Sequence, residues 1–115
     1  MRLKTNLLLS WLTVMPLTVS AADALTVEQG TQLLREKMCL GCHQIEKKRV
    51  GPAFVDISER YRGDPEAALP MLINSIKNGG RGKWGAVPMP AQTQVTNEQA
   101  QELAVFILSL PQKPQ

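Results

Sequence analysis

The stretch Cys39-Leu40-Gly41-Cys42-His43 constrains this chain of 115 residues more than any other feature. Two thiols three positions apart, followed directly by an imidazole, match the attachment signature of c-type haem. In that signature each cysteine adds to a vinyl group and the histidine ligates the iron. The chain has no cysteine besides Cys39 and Cys42 and no histidine besides His43. The sequence therefore predicts one haem c, covalently bound through Cys39 and Cys42.

Other uses of these three residues explain the pattern less well. A structural zinc site usually takes four Cys or His ligands, and the chain offers three in total. A thioredoxin-like pair favours a strand-helix-strand setting, and no strand-like run lies near the motif. A disulfide between Cys39 and Cys42 is compatible with an exported protein, but it would close a very short loop and leave His43 without a role.

The N-terminus has the pattern of a secretory signal. Arg2 and Lys4 precede an apolar run over residues 7–19, and Ser20-Ala21-Ala22 supplies the small residues of a cleavage site. We predict a signal peptide over residues 1–22, with export, and one mature domain over residues 23–115. The apolar run is shorter than the roughly 18–20 residues that cross a bilayer, so an uncleaved anchor is the weaker alternative and no membrane span is expected in the mature protein.

The charge balance argues against a polyanionic partner. The whole chain carries a formal charge of +3, and removal of Arg2 and Lys4 leaves eleven basic and ten acidic residues. There is no long basic stripe interleaved with aromatic residues, so nucleic-acid binding is not expected. The basic run Lys47-Lys48-Arg49 is either part of a docking rim or simply a solvated loop.

Apolar residues at helical spacing predict an all-α domain with four helices. We expect helices over 27–38, 52–61, 65–78 and 97–110, and an irregular loop rich in glycine and proline over 79–94. Pro70 is expected to kink or restart the third helix. The expected helix-starting caps are Thr26, Asp64 and Thr96.

The second axial ligand cannot be a histidine, because no second histidine exists, and methionine is the natural soft donor. Met38 adjoins Cys39, and Met71 lies in the third helix, where core packing is the simpler role. Met89 lies in Val87-Pro88-Met89-Pro90, where two prolines stiffen the backbone and lower the ordering cost of a weak thioether ligand. We predict His43 and Met89 as the iron ligands. The alternative is that Met89 packs without bonding and leaves the iron open to small ligands.

Several motifs together resemble the small bacterial class I cytochromes c of the c551/c552 type. They are the haem motif, Gly51-Pro52-Ala53, Ile76-Lys77-Asn78-Gly79-Gly80, Trp84-Gly85 and Val87-Pro88-Met89-Pro90. The resemblance spans nearly all of residues 23–115 and implies the cytochrome c fold, a small helical bundle around one covalently attached haem. It also implies that the first and last helices cross near Gly30 and Phe106.

The same resemblance implies two further haem-binding residues. Pro52 is expected to accept a hydrogen bond from the His43 ring, and Trp84 to bond a haem propionate. Three positions depart from the family pattern: Ser75 replaces a frequent arginine, Gln92 replaces an asparagine after the ligand methionine, and Phe106 replaces a tryptophan. Arg81 or Lys83 could supply the propionate contact that Ser75 cannot make.

With both faces of the iron closed and no acid, base or nucleophile grouped around it, the chain is not expected to be an enzyme. The resemblance implies a soluble periplasmic monohaem cytochrome c, a monomer that carries single electrons between transient redox partners of a respiratory chain. One alternative is a dedicated haem subunit of a periplasmic oxidoreductase such as a sulfite dehydrogenase. Another is a haem-based ligand-binding sensor.

Overall fold

A computed structural model describes residues 24–111 and residue 113. The predicted signal peptide therefore lies outside the described residues. Across the described ranges, no helix is long and apolar enough to cross a membrane. The described residues form four α-helices, and the all-α prediction is confirmed. The helices are α1 (Val27–Glu36), α2 (Phe54–Tyr61), α3 (Pro65–Asn78) and α4 (Asn97–Ser109).

Helices α1 and α4 begin with the same reciprocal cap. The Thr26 hydroxyl accepts a hydrogen bond from the Gln29 backbone N–H at 3.2 Å, and the Gln29 side chain accepts one from the Thr26 N–H at 3.0 Å. Thr96 and Gln99 repeat this arrangement at the start of α4. Each cap satisfies two backbone donors that the helix itself leaves free. Both cap positions agree with the sequence prediction.

Helix α3 begins as predicted but is not restarted by Pro70. The Asp64 carboxylate accepts a hydrogen bond from the Ala67 N–H at 3.0 Å, and Pro65 takes the first helical position. The helix then runs without interruption through Pro70 to Asn78. The backbone bond that Pro70 cannot make would have gone to the carbonyl of Glu66, an exposed residue where water can solvate that carbonyl.

Helices α1 and α4 cross in direct contact at Gly30 and Phe106. A Cβ atom on Gly30 would lie 2.5 Å from Cε2 of Phe106, so only glycine allows this approach. The crossing predicted from the family resemblance is therefore present. Helix α1 ends at Glu36 rather than at the predicted Met38, because Met38 adopts a left-handed backbone conformation with φ of 61°.

The core forms where α4 packs against the other three helices. Its largest fully buried side chains are Leu34, Val95, Leu103 and Phe106. Buried Ser58 of α2 fastens the end of α4, since its Oγ lies 3.0 Å from the Leu108 carbonyl and 2.8 Å from the Leu110 carbonyl. These contacts place α4 as the back wall of the crevice described next.

Candidate haem-binding site

The His43 imidazole is held in one orientation by the Pro52 carbonyl and the Phe54 ring. Only 8% of the residue is exposed, and its Nδ1 lies 2.7 Å from the Pro52 carbonyl oxygen. A carbonyl can only accept, so in the neutral imidazole Nδ1 carries the hydrogen and Nε2 has the lone pair. The Phe54 ring stacks on the imidazole with 4.9 Å between the ring centroids. The side chain is thus prepared to bind a metal through Nε2.

Gly51 allows the main chain to pass directly against this imidazole. A Cβ atom at position 51 would contact Cε1 of His43 and lie 2.8 Å from its Nδ1. The Gly51 N–H donates to the Cys42 carbonyl at 2.8 Å, which joins the segment before Pro52 to the thiol motif. The absence of a side chain at Gly51 is therefore a geometric requirement of the site.

Cys39 begins a short 3-10 turn over Cys39–Gly41, and Cys42 follows that turn directly. The N–H groups of Cys42 and His43 both donate to the Cys39 carbonyl, at 3.2 and 3.0 Å. Neither thiol is in a disulfide; Cys42 is exposed and Cys39 is half-buried. Burial raises the pKa of the Cys39 thiol, although a backbone hydrogen bond acts in the opposite direction.

Met89 lies in a loop whose base is closed by two backbone hydrogen bonds. The Gly80 N–H donates to the Met89 carbonyl at 3.0 Å, and the Met89 N–H donates to the Gly80 carbonyl at 2.8 Å. Gly79 has a positive φ of 75°, and a Cβ there would collide with the Met89 carbonyl. The Gln92 N–H donates to Ile76 at the end of α3. The loop that the sequence predicted is thus irregular but anchored at both ends.

One crevice collects all of these groups. Both cysteines, His43 and Met89 line it, together with an apolar set that includes Leu34, Phe54, Ile57, Leu72, Leu103 and Ile107. Met38 and Met71 also line the crevice, so geometry alone leaves three thioethers near it. Among the described residues that line it, only Arg81 and Lys83 are charged, and no carboxylate does so.

These residues fit a haem c. The body of the crevice is apolar, as a porphyrin ring requires, and two cations lie along it without a carboxylate partner, as two propionates require. Zinc chemistry is not favoured, since in the described ranges no group of three or more His, Cys, Asp and Glu side chains is arranged so that it could hold a metal ion. The donor set, two thiols with an oriented imidazole and available thioethers, is the set that haem c uses.

Trp84 lines the crevice next to Lys83. It belongs to a cluster of side chains that the sequence analysis did not predict. The Arg60 guanidinium lies 4.5 Å from the centroid of the indole ring and donates to the Lys83 carbonyl at 2.6 Å. The Tyr61 ring meets the indole edge-on at 6.5 Å. Arg60 is an exposed residue of α2, and no sequence pattern distinguishes it from the neighbouring Arg62.

The three residues that depart from the family pattern each make specific contacts in the structure. Ser75 accepts a hydrogen bond from the Lys83 amine at 3.2 Å. The amide of Gln92 donates to the Pro90 carbonyl at 2.8 Å and accepts from Gln94 at 2.9 Å, so it braces the loop after Met89. Phe106 is fully buried and packs on Gly30.

Comparison with known proteins agrees with this geometry. The family model for cytochrome c matches residues 27–111. The chain belongs to the cytochrome c family. This cytochrome is 46% identical over 79 residues to cytochrome c-552 of Hydrogenobacter thermophilus, an alignment that covers 69% of the chain and 79% of the relative. It is 42% identical to cytochrome c-551 of Pseudomonas denitrificans over 70% of the chain and 96% of that protein.

A solved relative shares the fold. The crystal structure of wild-type Nitrosomonas europaea cytochrome c552 superposes with a TM-score of 0.67 at 41% identity, covering 70% of this chain and 99% of that one. The predicted cytochrome c fold is therefore confirmed, and so is the resemblance to the small class I cytochromes of the c551/c552 type. The cytochrome carries one covalent haem c and is a monohaem electron carrier.

Proposed function

We propose that this cytochrome is a soluble periplasmic monomer that carries single electrons between transient redox partners of a respiratory chain, with His43 and Met89 as the axial iron ligands. The observation that carries the proposal is the state of His43. Its Nδ1 is engaged by the Pro52 carbonyl, which leaves Nε2 free for iron in the crevice that Met89 also lines. The haem supplies a one-electron iron couple. The signal-like N-terminus supports export, and therefore the proposed periplasmic location.

The protein's part is to hold two ligands and exclude water. The hydrogen bond from Nδ1 to Pro52 fixes the tautomer and increases the electron donation of the imidazole. The closed base of the Met89 loop limits how far the thioether can move when the charge on the iron changes. Apolar side chains such as Leu72 and Leu103 keep the ring in a low dielectric, which disfavours the more highly charged ferric state and raises the reduction potential.

The mouth of the crevice offers a surface for brief docking. Met38, Val50 and Val87 line the crevice and are 72%, 53% and 66% exposed. Exposed apolar side chains at the edge of the crevice suit a weak redox encounter, where low affinity permits rapid release. Cys42 also lines the crevice and is exposed, so a haem bound through it would have an edge near the surface.

Replacement of Met89 by leucine tests the axial assignment. We expect Met89→Leu to abolish the weak near-infrared band that reports methionine sulfur on ferric haem, and to lower the reduction potential. Met71→Leu and Met38→Leu are matched controls, because both side chains also line the crevice. Absorption spectra of the oxidised and reduced holoproteins measure the result.

An unchanged near-infrared band in Met89→Leu would contradict the assignment, and its loss in Met71→Leu or Met38→Leu would transfer the ligand role to that residue. Rapid binding of carbon monoxide by the reduced wild-type protein at neutral pH would favour the ligand-binding sensor. Purification in a constant ratio with one larger oxidoreductase would favour the dedicated haem subunit.

A further inference from the structure

We propose that Lys83 forms an ion pair with a haem propionate in this cytochrome, and that Ser75 and Arg60 hold it in place for that contact. The inference rests on the proposed function, since it requires a haem seated between His43 and Met89.

The position of the Lys83 amine is the first observation. Its Nζ lies 3.2 Å from Oγ of Ser75, and both residues line the crevice. The lysine therefore extends from the loop back to α3, along the edge of the cavity, although it stays exposed to solvent. Its partner there is a neutral hydroxyl, which leaves most of the charge of the ammonium uncompensated.

The balance of charge around the crevice is the second observation. Among the described residues that line it, Lys83 and Arg81 are the only charged ones, and neither takes part in the two ion pairs of the described chain. Two cations at one end of an apolar cavity, without a carboxylate to match them, are suited to a ligand that is apolar in its body and carries two carboxylates at one edge. Haem has this chemistry.

The third observation is that Arg60 contacts the loop at both Lys83 and Trp84. Its guanidinium donates to the Lys83 carbonyl at 2.6 Å and lies over the Trp84 ring at 4.5 Å. One side chain of α2 therefore fixes the backbone of the lysine and the plane of the indole next to it. Such preorganisation lowers the ordering cost of a flexible lysine when it pairs with an anion.

Lys83 is a better candidate than Arg81 for the propionate contact, because other residues hold Lys83 in place. The amine of Lys83 is oriented by Ser75, and its backbone is oriented by Arg60. No hydrogen bond of the Arg81 side chain is found in the described part of the chain, and Arg81 is exposed. The structure thus prepares one of the two cations and leaves the other unrestrained.

The test measures the reduction potential of the holoprotein as a function of pH, where ionisation of a propionate appears as an inflection. A neighbouring cation favours the carboxylate and lowers its pKa, so we expect Lys83→Gln to move the inflection up by about one pH unit. The exposed position of Lys83 places the effect at the lower end of the usual range. The potential at neutral pH should fall, because a positive charge beside the haem is lost.

Four further variants complete the test. Lys83→Arg should keep the wild-type inflection, and Ser75→Ala should move it in the same direction as Lys83→Gln by a smaller amount. Lys47→Gln is the control for a change of net charge at an exposed position outside the crevice lining. Arg81→Gln should move the inflection less than Lys83→Gln does, because no contact orients the Arg81 side chain.

An unmoved inflection in Lys83→Gln, or the larger movement in Arg81→Gln, overturns the inference. A wild-type inflection in Ser75→Ala overturns the positioning role of that serine. The near-infrared methionine band is recorded for every variant, so that failure of the axial assignment is separable from failure of the Lys83 contact. A normal band with an unmoved inflection refutes only the contact with Lys83.

Discussion

At the scale of single residues, the site depends on the absence of a side chain as much as on the ligands themselves. Gly51 lies against the His43 ring, and the next residue, Pro52, accepts the hydrogen bond that orients that ring. The same short segment therefore limits the position of the imidazole and selects its tautomer. A side chain at position 51 would displace the His43 imidazole by direct contact.

We expect Gly51→Ala to lower the free energy of unfolding of the holoprotein by about 1–3 kcal/mol, since the new methyl group overlaps the His43 ring and neighbouring backbone must shift. Guanidinium denaturation followed at the haem absorption measures it. Gly63→Ala is the control, because a Cβ at that position has no neighbour within 4 Å. Equal stability of the two variants would mean that the segment yields without cost.

Met38 is the one non-glycine residue with positive φ in the described chain. A left-handed backbone costs an L-residue about 1–2 kcal/mol, and a side chain that is 72% exposed offers little packing in return. Glycine removes the strain but loses about 0.5–1 kcal/mol through the greater freedom of the unfolded chain.

We therefore expect Met38→Gly to stabilise the holoprotein by about 0.5–1 kcal/mol in thermal or chemical denaturation. Lys37→Gly is the matched control, since Lys37 has a φ of −88° and no strain of this kind to lose. That variant should lose stability. A destabilised Met38→Gly would show that the exposed thioether makes contacts in the holoprotein that outweigh the backbone strain.

At the scale of secondary-structure elements, the end of α4 is held by a single buried hydroxyl. Ser58 donates toward the carbonyls of Leu108 and Leu110, which the helix cannot satisfy because it ends at Ser109. The contact joins α2 to the last residues of the core. It also keeps Leu110 buried after the helix has ended.

Removal of this hydroxyl tests the link. We expect Ser58→Ala to cost about 1–2 kcal/mol of unfolding free energy, because buried carbonyls lose their donor. Ser109→Ala is the control, since its hydroxyl bonds only the Phe106 carbonyl within the same turn of the helix, where water can replace it. A loss in Ser58→Ala no greater than that in Ser109→Ala would show that water also satisfies the buried carbonyls.

The helices could be predicted from the sequence because their signals are local. Thr26 and Thr96 cap through residues three positions away, and Asp64 with Pro65 begins α3 in the same way. The left-handed turn at Met38 was not predictable, since a methionine carries no preference for it. The hold of Arg60 on Lys83 joins two segments 23 positions apart, and nothing local encodes such a contact.

The candidate site likewise has features that adjacent residues encode and features that depend on distant segments. The motif Cys39 to His43 and the stiff segment around Met89 are continuous in sequence, so their chemistry could be inferred directly. The crevice lining brings together residues of every helix, and it leaves Met38 and Met71 as near neighbours of the predicted ligand. The role of Ser75 as a partner of Lys83 depends on the path of the loop, which only the folded structure gives.

At the scale of the whole molecule, residues 23–115 carry eleven basic and ten acidic side chains, so local clusters decide how ions approach. Lys47, Lys48 and Arg49 are all exposed on the loop between the haem motif and Gly51. Residue Val50, next to them, lines the crevice. The cluster therefore lies next to the crevice, and we expect it to attract anionic oxidants toward that crevice.

We expect replacement of these three residues by glutamine to slow oxidation of the reduced cytochrome by hexacyanoferrate(III) at low ionic strength and to flatten its salt dependence. Stopped-flow absorption measures the rate. Replacement of Arg35, Arg62 and Lys113 by glutamine gives an equal change in net charge and serves as control. If both triple variants slow the reaction equally, net charge rather than this cluster governs the approach.

The crossing at Gly30 and Phe106 has a consequence for the speed of folding. These residues are 76 positions apart, so their contact closes a loop that contains the haem motif, Met89 and most of the crevice. Contacts of such high sequence separation require the chain to lose entropy before they can form, and they slow folding in general. We therefore expect the meeting of the two terminal helices to limit how fast the haem becomes enclosed.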